Sequence, residues 1–214
     1  SIAHSGYMLV ALAAGPFGTQ FTSASGNTDF VIRNGIGAVL FYLLIYGIMN
    51  VGAFAVLVML SRRGEEAETY DDISGLVKRQ PMLAVVMAVC IFSLAGIPPL
   101  AGFLGKVFLF GAAISGGMSA FEINQNMVGW SLIIAAVVGV INSAIAAVYY
   151  LRIIGACFLA EQPADTKPAA PATATTWPRL AGITSMALVL VLSVLAAPLM
   201  TLSYNAARFE RVNA

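Results

Sequence analysis

Long stretches without a single charged residue divide this chain. Asn34–Ser61, Ile123–Leu151 and Leu180–Ala207 carry none, and Pro81–Phe121 carries one, Lys106. Each run exceeds the ~20 residues that an α-helix needs to cross a ~30 Å hydrocarbon core. A soluble bundle of such helices would need polar faces to cover its core, and these runs have none. The pattern predicts six helices, at about 1–14, 34–60, 81–97, 99–115, 127–158 and 179–204. The first ends at Gly15-Pro16 and the fourth at Gly116-Gly117, where helix-breaking residues interrupt the pattern. Pro98-Pro99 cannot continue a hydrogen-bond ladder, so the chain turns there.

The connections read differently from one another. Phe17–Asp29 is rich in Gly, Ser, Thr and Asn. Ser61–Gln80 holds the densest charge and is expected to be solvated, Asp71, Asp72, Arg62 and Arg63 included. Glu161–Pro178 is a Pro/Ala/Thr-rich linker of extended type. A tail, 205–214, follows the last helix.

Composition sharpens the class. The chain is 59% hydrophobic and 10% charged, with mean hydropathy +0.87, which marks a polytopic helical membrane protein in contact with a lipid bilayer. A net charge of +1 gives no basic face for nucleic acid. Cys90 and Cys157 are far apart in apolar runs and read as small buried hydrophobes, with no metal-like spacing. No phosphate-loop pattern is present. The chain opens without Met inside an apolar pattern, as the later part of a longer protein would.

Lys106 then becomes the focus. An ammonium at mid-bilayer costs about 2.5–3.5 kcal/mol on insertion scales, and such residues mark ion paths and proton relays. Eight residues beyond Pro98, it falls ~12 Å along a helix, near the midplane. Pro98, Pro99, Gly102 and Gly105 around it predict an interrupted helix that other backbones or water approach closely. No Asp or Glu in the apolar runs offers a fixed partner. A second positive charge ~10 Å away, at an effective dielectric of ~20, contributes about 1.7 kcal/mol, a change on the order of tenfold in proton occupancy. His4 suits either a relay or an interhelical hydrogen bond. Asn142, Ser143 and Tyr149, with Asn50 and Tyr150, suit the lining of a hydrated path or helix-to-helix bonding. Tyr149, Tyr150 and Arg152 also read as an interface anchor.

Residues 93–106, running from Ser93 through Pro98-Pro99 to Gly105-Lys106, resemble the lysine-bearing signature of the antiporter-like subunits of respiratory complex I. Ser1–Tyr7, Phe41–Asn50, Asp71–Pro81 and Tyr149–Arg152 narrow the resemblance to the subunit N branch, called subunit 2 in mitochondria. It covers nearly the whole chain except the Glu161–Pro178 linker.

The resemblance implies a fourteen-helix parent. This chain would supply the second inverted five-helix repeat (1–160) plus one further C-terminal helix, with Lys106 on an interrupted twelfth helix. It implies proton translocation driven by electron transfer from NADH to quinone elsewhere in an NADH:quinone oxidoreductase of a bacterial inner membrane. Lys106 would handle protons on the exit side, with His4 as a further relay group. No cofactor is expected in this chain, the NAD, FMN, iron–sulfur clusters and quinone belonging to the parent complex. Its partners would be the other membrane-arm subunits and the N-terminal half of the same protein, where the first-repeat lysines and a glutamate lie. The family places both termini on the periplasmic side. The charge bias, six Lys/Arg against four, votes the other way. Two other readings compete: a subunit of a multisubunit sodium/proton antiporter, which shares the Pro-Pro to Gly-Lys signature, and a membrane scaffold that moves no protons.

Overall fold

The computed structural model describes residues 2–18, 35–61, 69–161 and 176–212. Among them the fold is entirely helical: α1 (Ile2–Gly18), α2 (Gly35–Leu60), α3 (Tyr70–Ile73), α4 (Leu76–Arg79), α5 (Pro81–Ala95), α6 (Ala101–Glu122), α7 (Asn126–Phe158) and α8 (Thr176–Val212). Four of these, α2, α6, α7 and α8, are long and apolar enough to cross a membrane, while α1 and α5 are shorter apolar helices. The polytopic helix bundle read from the apolar runs is therefore the fold. The connection after α1, residues 62–68 with Arg62 and Arg63, and most of the Pro/Ala/Thr-rich linker lie outside the described residues.

The lysine-bearing helix α6 is the hub, packing on α1, α2 and α7, with α5 and α8 closing over its start. It is also the most buried of the four spans, whereas α7 and α8 present most of their length outward. Val138, Ile141, Ile145 and Val148 on α7 are exposed apolar side chains of the kind a bilayer covers. At 33 residues α7 is ~50 Å long, so it tilts or projects beyond a ~30 Å core.

Several boundaries depart from the sequence pattern, and packing explains each. α1 runs past Gly15-Pro16 to Gly18. A proline in a last turn forfeits one backbone bond, and the close approach of Gly35 to the Ala11 carbonyl holds the end of α1 against the start of α2. α6 runs through Gly116-Gly117 to Glu122. Gly116 lies on Ala14 of α1 and Gly117 on Gly129 and Ile133 of α7, so tertiary contact outweighs their poor helix propensity. α6 instead stops at Asn124, whose φ of 60° reverses the chain. α8 begins at Thr176, which puts Pro178 in its first turn, where a missing N–H costs nothing.

The charged connection before α5 is not simply solvated. Asp72 accepts from the Thr69 backbone and hydroxyl, capping α3. Gly75 donates to the Ala156 carbonyl of α7, and Ile73 and Leu76 are buried beneath. Arg152 of α7 lies 4.8 Å from the centre of the Tyr70 ring, so this part of the expected interface anchor is a cation–π contact to α3.

Candidate functional site

The site is built at the break between α5 and α6. α5 ends at Gly96, whose φ of 84° turns the chain left-handed, and Pro98-Pro99, joined by a cis peptide bond, carry it to α6. A helix leaves its last four carbonyls and first four N–H groups without internal partners. At this break all eight find one. The Phe92 and Ser93 carbonyls accept from the Gly96 and Ile97 N–H groups. The Leu94 and Ala95 carbonyls accept from Lys106 Nζ, at 3.0 and 2.9 Å. On the α6 side, Ala101 N–H donates to Ser193 Oγ at 2.8 Å and Gly102 N–H to Ser93 Oγ at 3.0 Å. Phe103 and Leu104 N–H groups turn back to the Leu100 carbonyl.

Lys106 is thus the C-terminal cap of α5, supplied from the next helix. Its third hydrogen bond, 2.9 Å, goes to Ser143 Oγ of α7, and its amine lies 5.9 Å from the Tyr7 ring centre. The residue is 5% exposed, and all three acceptors are neutral oxygens. By helical rise the amine sits ~20 Å from the start of α5, and the lysine backbone ~8 Å from the start of α6. The amine thus lies against the end of α5, beside the α5–α6 connection, where its carbonyl acceptors are.

The interruption lies at Pro98-Pro99 and does not extend to the two glycines beyond it. Pro98 and Pro99 occupy the break, but Gly102 and Gly105 are inside an unbroken α6. Their contribution is proximity. A Cβ on Gly102 would run into the Ser93 carbonyl, and one on Gly105 into the Tyr42 ring. Gly96 clears the path of the lysine: a Cβ there would approach Nζ to 3.0 Å.

His4 is fully buried and ties three helices together. Its Nδ1 meets the Tyr42 hydroxyl of α2 and its Nε2 the Tyr150 hydroxyl of α7 at 2.8 Å, with the Tyr46 ring stacked at 4.9 Å. In a neutral imidazole one nitrogen donates and the other accepts, so one tyrosine gives a proton to the ring and the other receives one. The interhelical bond expected of His4 is therefore present. Ser143 joins Lys106, whereas Asn142 and Tyr149 are exposed on the outside of α7, away from the amine's partners. Asn50 bonds the Tyr46 carbonyl of its own helix. Cys90 and Cys157 are buried and free.

Sequence reasoning passed over Ser93, Ser193, Tyr7 and Tyr42. Only Ser93 and Ser193 left a trace, each one of a few hydroxyls in an apolar run. Removing the Ser193 cap by Ser193→Ala should cost about 1 kcal/mol, the usual worth of a helix-capping side chain. Thermal unfolding of the detergent-solubilised assembly checks this; Ser193→Thr should retain most of it, and an unchanged midpoint for Ala would show the cap to be idle.

Comparison with known proteins agrees with this architecture. The family described as "NADH:quinone oxidoreductase/Mrp antiporter, TM" matches residues 1–146. The chain belongs to that family. Among its relatives, NADH-quinone oxidoreductase subunit N of Chloroflexus aggregans is 42% identical over 169 residues, covering 78% of this chain and 28% of that protein. Subunit N of Paramagnetospirillum magneticum is 37% identical over 208 residues, 97% of this chain and 36% of that protein. Among solved structures, a chain of respiratory complex I from Thermus thermophilus with bound aureothin superposes with a TM-score of 0.64 at 30% identity, covering 94% of this chain and 37% of that one. The resemblance to subunit N is thereby borne out, and this chain spans about a third of the length of these relatives.

Proposed function

We propose that this chain is part of a membrane subunit that translocates protons through Lys106, coupled to electron transfer from NADH to quinone elsewhere in an NADH:quinone oxidoreductase. The chain itself performs no redox chemistry on this reading; NAD, FMN, iron–sulfur clusters and quinone belong to the rest of the assembly. Its partners are the remainder of the same protein and the other membrane-arm subunits, in a bacterial inner membrane. One observation carries the proposal: a buried lysine whose three hydrogen bonds all go to neutral oxygens. A buried ion pair would fix the charge in place, whereas neutral partners leave it exchangeable. His4 on α1, with Tyr42 of α2 and Tyr150 of α7, extends the polar cluster from the lysine.

The test is proton pumping by the complete complex in proteoliposomes, comparing the native chain with Lys106→Met and Lys106→Arg. Pumping should be lost with Met. Normal pumping in both variants, with intact assembly, would make the segment a scaffold. Sodium-dependent transport would move the reading to an antiporter.

A further inference from the structure

The bonds of Lys106 single out one of its three partners. An ammonium has three hydrogens, and here they meet three acceptors: the Leu94 carbonyl, the Ala95 carbonyl and Ser143 Oγ. A neutral amine has two hydrogens and a lone pair. Carbonyls only accept, so they can hold the two hydrogens but cannot face the lone pair. Ser143 is the partner that can do both, since a hydroxyl accepts or donates by rotating its proton.

Beside it is a second group without an assignment. The Tyr7 hydroxyl is buried, in a residue 2% exposed, and has no hydrogen-bond partner among the described residues. Ser143 Oγ and the Tyr7 ring flank the same amine, 2.9 Å and 5.9 Å from Lys106 Nζ, yet the two hydroxyls do not close a well-formed hydrogen bond. Buried hydroxyls are rarely left unpaired, and water is the usual partner where two or more polar groups converge.

Resting on the reading of Lys106 as a relay, we propose that Ser143 is the port through which Lys106 exchanges its proton, and that a water held between Ser143 and the Tyr7 hydroxyl continues the path toward α1. In the outward step an Nζ–H bond of Lys106 breaks as its proton joins Ser143 Oγ. The original Oγ–H bond breaks in turn, and that proton passes to the water. Lys106 is left as a neutral amine with Ser143 now donating to its lone pair, and the water carries the charge onward. The return step reverses each bond. His4, whose ring centre is 5.7 Å from that of Tyr7, is the neighbouring titratable side chain on this route.

Tyr7→Phe makes the proposal sharply testable, because it removes one oxygen and keeps the ring on Phe110. A hydroxyl with only a structural role here would hold its water for stability alone, and its loss would show in the thermal midpoint and not in transport. A relay hydroxyl should be missed in transport. The measurement is protons pumped per NADH oxidised by the full complex in proteoliposomes, alongside its thermal midpoint. Ser143→Ala and Tyr7→Phe should each lower pumping at least fivefold, Ser143→Thr should stay within twofold of native, and both Tyr7→Phe and Ser143→Ala should leave the complex assembled.

If Lys106→Met is inactive while Ser143→Ala and Tyr7→Phe pump within twofold of native, the relay stands and this port is overturned. Ser143→Thr as inactive as Ser143→Ala also overturns the port. Normal pumping by Tyr7→Phe alone overturns the water step. Normal pumping by Lys106→Met removes the reading on which the port rests.

Discussion

Lys106→Met in the complete complex is expected to reduce proton pumping at least tenfold, and Lys106→Arg is expected to separate the two things the lysine does. Met matches the length of the stem but supplies no donor. It leaves the Leu94 and Ala95 carbonyls and the Ser143 hydroxyl without the ammonium they share. An unmet buried polar group costs about 1–3 kcal/mol, so some loss of thermal stability should accompany the loss of transport. Arg restores donors to the end of α5 but does not give up its proton at any working pH. If Lys106 serves transport by exchanging a proton, Arg should recover the thermal midpoint toward native while pumping stays low. Should Arg restore both together, the lysine acts as a cap alone, and the proton path runs elsewhere.

Gly102→Ala is expected to be the most damaging small substitution in the bundle. In an unconstrained helix the change would favour folding by about 1 kcal/mol through helix propensity. Here the added Cβ would run into the backbone carbonyl of Ser93 and come within 3.0 Å of Ser93 Oγ, which caps the Gly102 N–H. Backbone cannot swing aside as a side-chain tip can. Overpacking of this kind costs about 1–3 kcal/mol and sometimes more, so the clash outweighs the propensity. Relief requires α6 to move off α5, which lengthens the bonds from Lys106 to the Leu94 and Ala95 carbonyls. A fall in the thermal midpoint together with reduced pumping is the expected pair of results. An unchanged midpoint would show that the two helices do not approach so closely.

The membrane class and the break were legible in the sequence because each depends on local chemistry. Charge-free runs longer than a bilayer is thick leave few alternatives, and two consecutive prolines stop a helix wherever they occur. Lys106 stood out as the one charge in an apolar stretch. What sequence could not show was how far packing would override local preference. Gly116-Gly117 reads as a helix end, yet both glycines serve contacts to other helices, and α6 continues through them. Asn142 and Ser143 are neighbours in sequence with equal claims on a polar path. The ~100° between successive helical residues brings Ser143 to the amine and leaves Asn142 outside. The aromatic cluster was the least visible part. His4 meets Tyr42 across 38 residues and Tyr150 across 146, and no periodicity spans such separations.

A pair of helix ends facing each other in an apolar interior would ordinarily be a weak point in an insulating layer. Bare carbonyls at such a break are the ligands a sodium ion would take in place of its hydration shell. Here the last carbonyls of α5 are occupied, two by backbone N–H groups and two by a cation that is covalently part of the next helix. While Lys106 is an ammonium, a metal cation would have to displace it, against its charge, to bind there. On the proposed relay reading, the side chain that would offer a proton a place to stop also plugs the break, so discrimination between protons and metal cations would follow from the way one helix finishes another.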